Sequence, residues 1–247
     1  MVYCFAYIWY GSNCIYFCKS IQRKEIQDFM KNHLTWHNFC CVIHVESAKI
    51  ISGLSIPSEL KTEIVRKMIH FFIAFTPLMA AINRPVTMLA LVFGTLSYVY
   101  IEKLRLCGIN IPVISSLVGM ASRPRDSGCF VMGPVTLGLG AFLALLLYPP
   151  QAAAIAIYAL AFGDGFASLV GKFFGRLRPD FLSGKSIEGS LVCFTAVLIC
   201  AYGVSFDMRV AVAAAFTAML VETLPLGDYD NLALPVAVGM AVHFALI

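Results

Sequence analysis

The chain has 247 residues, of which 60% are hydrophobic and only 13% charged, and its mean hydropathy is +0.82. A soluble domain carries about 25% charged residues, so a chain this poor in charge cannot coat itself with a wetted surface, and lipid is its expected solvent. The formal net charge of +4 is too small to mark a nucleic-acid binder and fits a membrane protein whose basic residues gather on one side. The nine cysteines are an odd and scattered set that does not form a disulfide framework. Cys107, Cys129, Cys193 and Cys200 lie in or beside apolar segments, where a cysteine is a small buried hydrophobe.

In chain order, residues 1–58 differ from the rest and read as an N-terminal extension outside the catalytic unit. Met1 to Cys18 is apolar and aromatic but is interrupted by Gly11, Ser12 and Asn13, and it falls short of a span of about 20 residues. It also lacks the basic start and small-residue cleavage site of a signal peptide. A polar stretch of mixed charge, Lys19 to Lys49, follows. It holds His33, His37, Cys40, Cys41 and His44, residue types that bind zinc, but no standard zinc spacing is met and no metal site is assigned there.

Residues 59–247 read as one all-α, polytopic transmembrane unit of about seven helices. The apolar segments are 64–82, 86–102, 129–148, 152–171, 190–205, 209–225 and 231–247, with Pro149–Pro150 marking the turn between the third and fourth. Within lipid such segments must be helical, because a helix satisfies its own backbone groups. If residue 64 starts on one side, that side receives nearly every Lys and Arg, including Lys61, Arg66, Lys67, Lys103, Arg105, Lys172, Arg176, Arg178 and Lys185. The other side receives Arg84 and Arg209. The bias marks the first side as cytoplasmic and gathers the loops 103–128, 172–189 and 226–230 there.

Most of the informative polar residues fall on that side. Glu63, Arg66, Lys67 and His70 open the first segment at spacings of three and four, and so are neighbours on a helix. Lys67 reads equally as a snorkelling anchor, whereas His70 sits inside the apolar run. Asp164 lies about two turns inside the fourth segment, at a depth where a carboxylate costs on the order of 2.5–3.5 kcal/mol. It therefore needs a polar cavity, a metal or a basic partner. Gly171 and Gly175 by themselves suit close helix packing. Lys172, Arg176, Arg178 and Lys185 form a positive cluster suited to a polyphosphate. Gly184-Lys185-Ser186 resembles the end of a phosphate loop, but Pro179 stands where the first glycine is required, which excludes that fold. Glu222, Asp228, Asp230 and Asn231 bracket an acidic turn whose oxygens suit Mg²⁺. Glu102 and Arg105 read as a surface pair of small energetic worth, and Arg123, Arg125 and Asp126 follow in the next loop.

Together these motifs resemble the dolichol kinase, phytol kinase and CTP-dependent diacylglycerol kinase group. The group's pattern D-x-x-A-x-x-x-G-x-x-x-G, then eight residues, then K-K-T-x-E-G, is similar here at Asp164, Ala167, Gly171, Gly175, Lys185, Glu188 and Gly189. Gly184 replaces the first lysine and Ser186 the threonine. The group's R-K-x-x-H opening falls on Arg66, Lys67 and His70, and its closing acid and D-N pair on Glu222, Asp230 and Asn231.

The resemblance implies transfer of the CTP γ-phosphoryl group to a membrane lipid alcohol (a polyprenol or dolichol, phytol, or diacylglycerol) at the cytoplasmic face. Lys185, with Arg176 and Arg178, would then bind phosphates, and Asp164 would hold Mg²⁺ or take the hydroxyl proton. Glu188, Glu222 and Asp230 would serve the metal or its surroundings, and His70 and Asn231 would orient groups. Arg66, Lys67, Ala167, Gly171, Gly175, Ser186 and Gly189 complete the expected nucleotide site. Two other readings stand beside it. One is a phosphatidate cytidylyltransferase making CDP-diacylglycerol. The other is a transporter, since broken Gly- and Pro-rich spans with intramembrane acids occur there too.

Overall fold

A computed structural model describes residues 58–109, 118–121, 129–179 and 184–247. The expectations for residues 1–57, the His/Cys set among them, and for Arg123, Arg125 and Asp126 lie outside the described residues. Among the described residues the chain is helical and forms no strand. Helix α1 (Ser58–Phe72) passes through a 3-10 turn, Ile73–Phe75, into α2 (Thr76–Leu106). Next come α3 (Gly133–Leu147) and α4 (Pro150–Tyr158), and then a π-helical turn, Ala159–Gly163, leads into α5 (Asp164–Phe173). Helices α6 (Ile187–Ser205) and α7 (Met208–Thr223) are followed by a second 3-10 turn, Gly227–Tyr229, and by α8 (Asp230–Ala245). From the third apolar segment onward, each helix end lies within four residues of the boundary expected from hydropathy.

Three stretches among the described residues are long and apolar enough to cross a membrane: Leu60–Leu106, Pro150–Phe173 and Ile187–Ser205. The first does not run straight. Asn83 leaves the helical region at φ −153°, ψ 97°, just ahead of Pro85, whose ring removes a hydrogen bond and crowds the preceding turn. Arg66 and Tyr98 nevertheless line one cavity, whereas on a straight helix they would stand about 48 Å apart. The chain therefore doubles back at Asn83, as the sequence expects between residues 82 and 86. Arg84 pins this reversal by donating to the carbonyls of Leu145 and Tyr148 at the end of α3.

Helix α4 forms the hub. Ala152, Ala153, Ile155, Ala156 and Ile157 are all fully buried, and α4 packs on α2, α3, α6 and α8. Alanine gives it little bulk, so neighbours approach closely. The surface has the opposite character. Leu89, Phe93, Leu96 and Tyr100 recur at spacings of three and four along α2, and each is more than 60% exposed. A stripe of that kind wants an apolar surrounding.

Candidate active site

A cavity of about 290 Å³ lies between α1, α2, the helical stretch 118–121, the entry to α3 and the turn into α8. Its apolar lining is Ile69, Tyr98, Val118, Ala121, Val131, Pro134 and Leu137, and its polar lining is Arg66, His70, Asp228, Asp230 and Asn231. The structure thus brings together four expected site residues from the two ends of the unit: Arg66, His70, Asp230 and Asn231.

Buried polar contacts hold this lining. Glu102 is 1% exposed and takes both Arg105 Nε (2.8 Å) and Arg105 Nη2 (2.7 Å). It also accepts the Val131 backbone N–H at 3.0 Å, while Arg105 donates to the Cys129 carbonyl at 3.0 Å. The expected surface pair is therefore a buried clamp that fixes the cavity wall, a role in which losing one partner strands a charge. The Tyr98 hydroxyl donates to the Val131 carbonyl at 2.9 Å. Asn231 donates to Thr136 Oγ1 at 3.1 Å and the Gly133 carbonyl at 3.4 Å, tying α8 to α3. Gly227, at φ +66°, supplies the left-handed turn that delivers Asp228 and Asp230.

Behind the polar lining lies a buried ionic cluster. Lys67 is 1% exposed and donates to Asp164 Oδ2. His70 Nδ1 sits 3.1 Å from the same oxygen, and Ser168 Oγ reaches Asp164 Oδ1 at 3.4 Å. Asp164 follows directly on the π turn, a wide turn that interrupts regular helices and recurs at functional sites. The basic partner expected for the intramembrane carboxylate is thus Lys67. Lys67 and Asp164 pair with each other and are not among the residues that line the cavity.

A second cluster stands on α6 and α7. Lys185 donates to the Glu222 backbone carbonyl, and its Nζ lies 3.4 Å from Glu222 Oε1. Ser190 Oγ donates to Glu222 Oε2 at 3.1 Å. Asp230, just ahead of the last apolar segment, feels both clusters. Its carboxyl is pushed up to about 6 by burial and then by the charge of Asp164, against the pull of Lys67, Lys185 and Arg66.

The expected nucleotide-binding glycines turn out to be a packing seam. A Cβ on Gly175 would overlap the Gly171 carbonyl and meet Ser186 Cβ at 2.6 Å, and one on Gly189 would meet the Ala167 carbonyl at 2.8 Å. Ser186 caps α6, accepting the Gly189 N–H at 3.1 Å, and its hydroxyl fills the hollow left by Gly171 and Gly175. Side-chain-free positions are needed here because α5 and α6 touch backbone to backbone. Ala167, Gly171, Gly175, Ser186 and Gly189 therefore hold α5 on α6 and do not line the cavity. Glu188 accepts the backbone N–H groups of Arg176 and Leu177 at 3.0 and 3.1 Å, which makes it a loop-holding residue. Arg178 donates to the carbonyls of Gly171 (2.8 Å) and Gly184 (3.2 Å) and closes the same loop. Gly184 stands at φ +86°, a conformation that explains glycine where the group's pattern has lysine. The side chain of Arg176 is exposed, and Lys172 pairs with Glu63 at 2.6 Å.

Among the described residues, no three His, Cys, Asp or Glu side chains form a metal-binding group, so Asp164, Glu222 and Asp230 do not make one preformed centre. Mg²⁺ asks for less, one or two carboxylates completed by substrate phosphates. Asp228 and Asp230 meet that requirement on the cavity wall. Beside them Arg66 donates to Glu63 at 2.8 Å, while its Nε is buried with no partner among the described residues. A buried, unpaired guanidinium donor facing a cavity fits an anion. Asp228 belongs to the acidic turn expected to suit Mg²⁺, whereas Tyr98 and the apolar lining were not among the expected site residues. Lining positions on a helix look like lipid-facing ones in sequence.

The chain is similar to a phytol kinase of Synechocystis, with 30% identity over 151 residues, covering 58% of this chain and 64% of that protein. It is similar to a CTP-dependent diacylglycerol kinase 1 of Schizosaccharomyces pombe, with 28% identity over 97 residues, 38% of this chain and 44% of that protein. A CTP-dependent diacylglycerol kinase 1 of Eremothecium gossypii is 29% identical over 150 residues, 57% of this chain and 46% of that protein. These homologues carry the names of the group that the motifs resemble, and the matches span less than two thirds of each relative. No family model and no solved structure matches the chain.

Proposed function

We propose that this protein is a CTP-dependent lipid kinase that phosphorylates a membrane lipid alcohol, with about seven membrane-spanning helices and its site at the cytoplasmic face. The observation that carries the reading is the cavity itself, which joins apolar lining suited to a hydrocarbon chain with Arg66, His70, Asp228, Asp230 and Asn231. The names of the relatives support both the alcohol acceptor and CTP as donor. The concentration of Lys and Arg on the cavity side supports the orientation.

Phosphoryl transfer needs positioning and charge neutralisation more than covalent chemistry from the protein. Arg66 directs its free donor at the phosphates, while Lys185 is held by Glu222. Asp228 and Asp230 would hold Mg²⁺, which would supply charge neutralisation on the transferred group. The Lys67–Asp164 pair and the Lys185–Glu222 pair keep two further carboxylates neutralised, so that the site does not repel a polyanion. Ile69, Val131, Pro134 and Leu137 exclude water from the acceptor side.

Protein in lipid micelles, given γ-labelled CTP, Mg²⁺ and a panel of phytol, polyprenol and diacylglycerol, is expected to yield a labelled lipid monophosphate and CDP. If no label moves while α-labelled CTP and phosphatidate give CDP-diacylglycerol and pyrophosphate, a cytidylyltransferase replaces the kinase.

A further inference from the structure

Resting on that kinase reading, we propose that His70 is the catalytic base, with Asp164 its positioning residue. The intramembrane carboxylate is the stronger candidate in sequence, but its geometry excludes it. Asp164 is closed in by Lys67 and His70 on Oδ2 and by Ser168 on Oδ1, and it does not line the cavity. His70 lines the cavity that a lipid hydroxyl would enter, and Asp164 does not. His70 Nδ1 stands 3.1 Å from Asp164 Oδ2 without meeting hydrogen-bond geometry, and a small turn of the ring would let a proton kept on Nδ1 be donated to that carboxylate, leaving the lone pair on Nε2. Lys67 holds the carboxylate in place. The arrangement is that of a base oriented by a buried acid, in which the acid fixes the tautomer and is not itself protonated. The two cavity carboxylates, Asp228 and Asp230, stand on the side of Arg66 and serve the phosphates and their cation.

The step balances. The lipid O–H bond breaks, its proton passes to His70 Nε2, and the oxygen forms a bond to the γ-phosphorus. The bond from γ-phosphorus to the β,γ-bridging oxygen breaks, and CDP departs with that electron pair. His70 afterwards returns the proton to water.

The test uses His70→Ala and His70→Gln in full-length protein, taking whichever binds labelled CTP as wild type does. Turnover is expected to fall by about 10²–10⁴-fold, with KM for CTP unchanged within about twofold. Imidazole added to His70→Ala, where the lost ring leaves room beside a 290 Å³ cavity, is expected to restore turnover by at least about tenfold, which a merely structural histidine would not permit. In His70→Ala/Asp164→Asn the rescue is expected to fall about tenfold, since no acid orients the added ring. Near-wild-type turnover in either His70 variant overturns the role of His70. So does a CTP-binding His70→Ala that imidazole does not change. Undiminished rescue in the double variant overturns the role of Asp164 alone. Wild-type protein that labels no lipid alcohol overturns the kinase reading, and this proposal with it.

Discussion

The seam between α5 and α6 and the cavity between α1, α2 and α8 are built on opposite principles. The seam carries the longest motif of the chain, from Asp164 to Gly189, yet most of its fixed positions are small residues pressed against backbone, and its acid and arginine tie a loop to a helix end. The cavity carries short motifs, yet it gathers a free arginine donor, a histidine and two aspartates around an open space. A long, strict pattern therefore marks where backbones touch, because only glycine fits there. The cavity residues come from short motifs far apart in the chain and leave a fainter trace.

That contrast is open to direct attack. The largest effect is expected on the cavity side. Asp228→Asn/Asp230→Asn should weaken Mg²⁺-dependent CTP binding by roughly 100-fold, on the scale of losing charged hydrogen-bond partners, with the thermal midpoint unchanged. A large drop in that midpoint would move these residues into the scaffold. On the seam side, Gly175→Ala should lower stability by about 1–3 kcal/mol through overpacking, seen as earlier thermal unfolding in micelles. Its CTP affinity should stay near wild type if the midpoint is not exceeded. The carboxyl of Asp230 titrates at about 6. Only the ionised form serves a cation, so Mg²⁺-dependent CTP binding should be full above that pH and should fall as the pH drops through it. A flat binding profile from pH 8 to pH 5 would remove Asp230 from the cation site. The smallest effect is expected at Gly94, where an added methyl group would meet nothing within 4 Å. Gly94→Ala should raise stability by about 0.4–1 kcal/mol, the opposite sign to Gly175→Ala and the sharpest check on the seam.

Much of the scaffold was legible before the fold was known. The apolar segments from residue 129 onward match helices closely because a chain in lipid has no other way to satisfy its backbone. The reversal before Pro85 could be read from a short polar break, and the need of Asp164 for a polar cavity, a metal or a basic partner followed from the cost of an isolated charge at that depth. The π turn ahead of Asp164 was not legible, since Ala-Leu-Ala-Phe-Gly carries no local signal for a wider turn. Glu102 was misjudged for a related reason. An acid three residues from an arginine looks the same on a wet surface as in a clamp on Val131.

The sequence by itself determined that this is a helical, membrane-suited chain, because hydropathy is a sum over residues and needs no partner. Only the tertiary structure decided which of its polar residues meet. Lys67 turns to Asp164 and Lys185 to Glu222, while Arg66, one residue before Lys67, keeps a free donor at the cavity. Neighbouring cations on one helix point to different sides of it, and the helices packed against each side settle which is neutralised and which is left for a ligand.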